Sequence, residues 1–155
     1  MRYLIVIFGS ILLIGIVILC SINFMAVGDI KGLRIFHYST VDGMAIWDGV
    51  NYSIDYENGK YIAKIKNNGE SSDNTKKVEI SKYKVRKLES ILNKYRVGSW
   101  NGFRKNNKNV LDGSSFNLYI KLEDDTTIEA SGYMKWPENY RKVREEVEFF
   151  FKGLS

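Results

Sequence analysis

The stretch FNLYIKLEDDTTIEAS, residues 116–131, decides the architecture of this chain. Phe116, Leu118, Ile120 and Leu122 alternate with Asn117, Tyr119, Lys121 and Glu123. That period of two marks a strand with one apolar face and one wet face. Asp124-Asp125 breaks the alternation and turns the chain into Thr126–Ser131, so the stretch predicts a hairpin. The same pattern recurs upstream. Tyr52, Ile54 and Tyr56 alternate ahead of Glu57-Asn58-Gly59-Lys60, where Asn-Gly accepts the positive φ of a two-residue hairpin turn, and Tyr61–Lys66 is the return strand. Leu33–Thr40 reads as an opening strand and Lys77–Ile80 as a short one.

Two segments change period. Val85, Leu88, Ile91, Leu92 and Tyr95 form one apolar stripe at helical spacing, with Ser81 placed to cap its start. A second helix is predicted to begin at Pro137, the only proline, whose missing N–H costs nothing in a first helical turn. Tyr140, Val143, Val147, Phe150, Phe151 and Leu154 line its face. The predicted order is βββ(β)αββα, an α+β class with an antiparallel sheet and both helices on one of its faces. Asn67–Asn74 is a loop-like run within this unit, and Gly28–Gly32 reads as a short connector ahead of it.

Before that connector, no charged residue interrupts Tyr3–Gly28. Its apolar core, Tyr3–Ile22, has the length that a helix rising about 1.5 Å per residue needs to cross a hydrocarbon layer of roughly 30 Å. Three fates compete. A retained helix fits the length of the run, with residues 4–22 helical. A cleaved signal has a shorter apolar centre, although Ala26-Val27-Gly28 offers an A-x-A-like site. A lipoprotein signal needs a small residue before its cysteine, and Leu19 precedes Cys20. The length favours the anchor, giving residues 1–28 as anchor or signal peptide and 29–155 as one domain. Arg2 before the span orients the N-terminus inward only weakly, and a lone span most simply leaves the domain outside the cytoplasm, or secreted if the segment is cleaved. Cys20 is the single cysteine, so the domain forms no internal disulfide.

The 155 residues carry 23 Lys and Arg against 18 Asp and Glu, a net charge of +5. Basic residues are spread among acids, which reads as a solvated surface; attraction to anionic headgroups or wall polymers is the alternative. No nucleic-acid reading motif accompanies the charge, so nucleic acid is not an expected partner. One histidine and one cysteine do not make a Cys/His zinc set. Glu123, Asp124 and Asp125 lack the spacing of a calcium loop. Ser114 and Ser115 stand outside a G-x-S-x-G setting, and no phosphate-binding glycine loop occurs. His37, between Phe36 and Tyr38 on a predicted strand, is read as structural. The chain is therefore expected to be no enzyme and to hold no cofactor or metal.

The richest irregular segments are Ser99–Phe103, Val110–Gly113 and Ala130–Tyr140. The pattern WNGF…VLDGSSFNLYIK…DDTTIEASGY…WPENY resembles an uncharacterised domain family of secreted or membrane-bound proteins from Gram-positive, clostridia-like bacteria. The resemblance spans roughly residues 80–152 and implies a similar fold; it carries no activity and no catalytic residue. Read physically, Trp100, Phe103 and Trp136 are large rings suited to packing where loops meet the sheet. The alternative is an aromatic shelf for a sugar or peptide, with Tyr133 among its rings and Asn101, Arg104 and Lys135 at its rim, because both loops flank the hairpin of residues 116–131. Asp112-Gly113 reads as a turn.

Three functions remain open at this stage. The first is a membrane-anchored, monomeric, extracytoplasmic binding module held by residues 3–22, with an envelope protein or polymer as partner. The second is an envelope hydrolase pairing Asp112 with Glu129 or Glu138, which requires those carboxylates to sit about 5–9.5 Å apart. The third is a small immunity or accessory protein with one dedicated partner.

Overall fold

The computed structural model describes residues 27–43 and 49–154. The expected apolar span Tyr3–Ile22, with Cys20, lies outside the described residues. Among the described residues, no helix is long and apolar enough to cross a membrane.

The strands are β1 (Leu33–Val41), β2 (Gly49–Glu57), β3 (Lys60–Asn67), β4 (Lys76–Ile80), β5 (Phe103–Asn106), β6 (Ser115–Leu122) and β7 (Thr127–Tyr133). Helix α1 (Lys82–Lys94) follows β4, and α2 (Tyr140–Lys152) closes the domain. The seven strands form one sheet ordered β4-β3-β2-β1-β6-β7-β5, so the α+β class holds.

The sheet is mixed rather than antiparallel. β5 runs parallel to β7, with Phe103 opposite Ala130 and Asn106 opposite Tyr133. Residues Ser99–Phe103, read from the sequence as irregular backbone, thus end in an edge strand. β5 is only four residues, too short to display an alternation, and it depends on the waiting edge of β7. Both edge strands carry cations, Lys76 and Lys77 on β4 and Arg104 and Lys105 on β5, which discourages pairing with another chain.

β1 is the hub. It pairs antiparallel with β2 on one side and with β6 on the other, although β6 is far away in sequence. Asn58 and Gly59 close the β2–β3 hairpin with φ of +51° and +81°, the left-handed pair that a two-residue turn demands.

Both helices cover the same face of the sheet. Ser81 caps α1 by accepting from the Lys84 N–H, and Val85, Leu88 and Leu92 are buried. α2 begins at Tyr140, not at Pro137. The Pro137 carbonyl accepts the Tyr140 N–H at 3.3 Å in a turn, and Asn139 takes a left-handed φ of +60° that excludes it from the helix. Val143, Val147 and Phe151 of α2 are buried, and the Phe151 ring stacks on Tyr52 at 4.6 Å between centroids. Each such side chain contributes about 1.5–3 kcal/mol when removed fully from water.

The chain enters the domain along α1. The Asn93 amide holds both polar groups of Ile30, accepting its N–H at 2.7 Å and donating to its carbonyl at 2.8 Å. Glu89 accepts the Leu33 N–H at 2.8 Å, and the Val27 N–H donates to the Gly98 carbonyl at 3.1 Å. Ile30 is fully buried. Gly98 has no room for a side chain, since a Cβ there would lie 2.3 Å from the Val27 carbonyl oxygen. Val27–Gly32 is therefore packed into the fold rather than strung ahead of it. On the other side, Arg144 of α2 grips Asp42, just beyond β1, through its two terminal guanidinium nitrogens, Nη1 at 2.8 Å from Oδ1. The Asp42 carboxylate holds the Arg144 pKa above its ordinary value.

Candidate ligand-binding face

Alternation along each strand sends one set of side chains to the helices and the other to a face that no helix covers. On the covered side stand Phe36, Tyr38, Ile54, Leu118 and Ile120, all buried. On the open side, the registers line up residues that the sequence separates widely. One row across the sheet reads Lys64, Ser53, His37, Tyr119, Glu129. The next reads Lys66, Asn51, Ser39, Asn117, Ser131, Arg104.

These two rows, apart from Lys66 at the end of the second, line an open concavity of about 780 Å³. A recess of about 340 Å³ continues it past Arg104, Asn117 and Ser131 toward Asn106, Ser115 and Tyr133. Serine hydroxyls and asparagine amides lie along it between the charged Asp55, Lys64, Arg104 and Glu129, and the rings of His37 and Tyr119 stand side by side, 6.2 Å between centroids.

The charges on this face are matched locally. His37 Nε2 donates to Asp55 Oδ1 at 2.8 Å, and Lys64 Nζ donates to Asp55 Oδ2 at 3.0 Å. Burial alone would push the Asp55 carboxyl up; the hydrogen bonds from His37 and Lys64 outweigh it and hold the group below the usual carboxylate range. Hydrogen bonds to Asp55 and Glu57 hold the Lys64 ammonium above its ordinary value. At the far end Arg104 donates to Glu129 at 2.6 Å. Each acid is thus joined to a base. Among the described residues, no group of three or more His, Cys, Asp or Glu side chains is placed to hold a metal ion.

The residues singled out in the sequence divide between two places. Trp100, Phe103 and Trp136 join Phe116 and Tyr140 in an aromatic cluster on the helix side, with Phe116 at its hub. Trp100 is 2% exposed, and its indole donates to the Glu138 carbonyl at 3.0 Å, so its ring belongs to the core. Trp136 is 38% exposed and stacks on Tyr140 at 4.4 Å, lining a surface recess with Pro137 and Arg141. Arg104 and Tyr133 instead line the open face. The Tyr133 hydroxyl donates to the Leu111 carbonyl at 2.9 Å. Asn101 is a strut between the two, its side-chain carbonyl accepting the Glu129 N–H at 3.1 Å. Lys135 is exposed beside Trp136, and Asp112 is exposed in the connection ahead of β6.

Sequence reasoning passed over the open face. His37, read as structural, is half exposed at its centre. The overlooked signal lies in the kind of polar residue at the wet positions. Ser39, Asn51, Ser53, Asn117 and Ser131 are short hydroxyls and amides, where an ordinary solvated strand carries long charged side chains.

Comparison with protein-family models and with curated proteins finds no match for this chain.

Proposed function

We propose that this chain is a membrane-anchored, extracytoplasmic binding module whose ligand surface is the uncovered face of its sheet. One observation carries the reading: helices shield one side of a seven-stranded sheet, while the other side is left as a broad concavity where Ser39, Asn51, Ser53, Asn117 and Ser131 stand between the paired charges of Asp55, Lys64, Arg104 and Glu129. A face that serves solubility alone has no need of a recess, and a face that serves packing would be apolar.

The anchor rests on the composition of Tyr3–Ile22. Carbonate extraction and N-terminal sequencing of the mature protein test it. A full-length, membrane-retained chain is expected, and a mature terminus at Asp29 would refute the anchor.

The acid–base pairing on the face favours binding over hydrolysis. A hydrolase of the paired-carboxylate type needs one acid near another, whereas Glu129 is engaged by Arg104 and Asp55 by His37 and Lys64. The module reading is tested by co-sedimentation of the full chain, in detergent, with an isolated cell-envelope fraction. Ser39→Trp, which fills the concavity, and Asn117→Ala, which removes a floor group, should each lose retention while melting as wild type does. Trp136→Ala should retain binding. Undiminished retention of both face variants contradicts the reading.

A further inference from the structure

We infer that the open face takes an uncharged, amide-bearing sugar chain lying across the strands. The inference rests on the binding-module reading and specifies the ligand of that same surface.

The open-face side chains lining the concavity are serines, asparagines, His37, Tyr119 and paired charges, which give an acyl chain or a hydrophobic peptide anchor no aliphatic slot to fill. The charges that line the concavity are committed to one another: Lys64 to Asp55 and Glu57, Arg104 to Glu129. A polyanion would have to displace carboxylates already seated on those cations, and a polycation would meet Lys64 and Arg104 first. An uncharged ligand meets neither obstacle.

What the face provides is a line of groups that both donate and accept. Between Lys66 and Arg104, the row Asn51, Ser39, Asn117, Ser131 crosses four strands without a charge. A serine hydroxyl and an asparagine amide each supply a donor and an acceptor. Sugar hydroxyls and acetamido groups have the same dual character, so either partner can adjust to the other. The neighbouring row brings the His37 and Tyr119 rings alongside, and a pyranose ring carries a C–H face that packs against such rings. Strands lie about 4.8 Å apart, so from β3 to β5 the floor is about 24 Å wide, room for several linked sugars rather than one.

The test uses the full chain in detergent micelles with the β-1,4-linked tetramer of N-acetylglucosamine as the neutral probe and poly-glutamate as the charged one, each titrated by calorimetry at low and at high salt. The inference expects the tetramer to bind with an affinity that changes less than threefold with salt, and poly-glutamate not to bind. Asn117→Ala and Tyr119→Ala should each weaken the tetramer at least tenfold, with circular-dichroism melts confirming that the variants fold. Asn117→Gln, which keeps an amide, should recover part of the loss, a result that a purely structural role does not produce. Absence of tetramer binding overturns the sugar assignment. If envelope retention is still lost in Ser39→Trp, the face remains the binding surface with a different ligand; if retention also survives that change, the module reading falls with it.

Discussion

The two faces of one sheet are made by the same strands and have opposite requirements. On the helix side, Phe36, Ile54, Leu118 and Ile120 must exclude water completely and fit Leu88, Val147 and Phe151. On the open side, the residues between them, His37, Ser53, Asn117 and Tyr119, keep access to water and touch no other layer. The lesson is that burial and binding are separable here residue by residue. A substitution at one position should move stability, and a substitution at the next should move recognition.

The largest stability effects belong to the covered face. Phe151→Ala and Trp100→Ala should each cost about 3–5 kcal/mol, because each removes a buried ring and leaves a cavity. Leu88→Ala should cost about 2–5 kcal/mol by the same mechanism. Urea unfolding of each variant checks these values, and wild-type-like midpoints would place the core elsewhere. Trp100→Ala is the sharpest of the three, since the folded fraction of that variant should bind as wild type does.

Asn93→Ala comes next. It removes the amide that satisfies the N–H and carbonyl of the buried Ile30, at about 1–3 kcal/mol for each buried group left without a partner. Proteolysis under native conditions should then release the segment 27–32 before the sheet unfolds. Equal resistance in wild type and variant would show that the entry segment does not depend on this clamp.

A smaller effect comes from acid. The folded Asp55 has a lowered pKa, so its pairing with His37 and Lys64 contributes stability above the ordinary aspartate value of 3.8 and loses it as pH falls below that value through the folded one. Melting temperature measured from pH 6 downward should therefore fall more steeply in wild type than in Asp55→Asn. Parallel curves would mean that the pairing does not stabilise the fold.

The smallest effects are expected on the open face. Asn117→Ala and Ser131→Ala should change stability by no more than about 0.5 kcal/mol, since neither residue packs against another layer. A loss of several kcal/mol at either position would end the separation between the faces.

Much of the fold was legible in the residues themselves. Alternation exposed β2 and β6, the turns after them exposed the return strands β3 and β7, the opening strand β1 and the short β4 were also read correctly, and stripes at helical spacing exposed both helices, because a half-buried element must write its buried face into its period. β5 was not legible: four residues with one apolar side chain carry no period, and the strand exists because β7 offers an edge. The start of α2 was misplaced because Pro137 fits a first helical turn equally well as the turn before it, and only the left-handed Asn139 decides between them. The aromatic residues named as a shelf do come together, but around Phe116, with Trp100 sealed inside. The open face was missed for a different reason. Its rows exist only across strands, and the neighbours Ser53, His37 and Tyr119 share no local pattern.

Hydroxyl-radical footprinting of the full chain, with and without the isolated envelope fraction, tests the separation of the faces most directly, because it reports side chains one at a time. Protection confined to His37 and Tyr119, with Trp136 and Tyr83, an exposed residue of α1, unchanged, is the predicted result. Protection of Trp136 with His37 and Tyr119 left as reactive as in the free protein would contradict it.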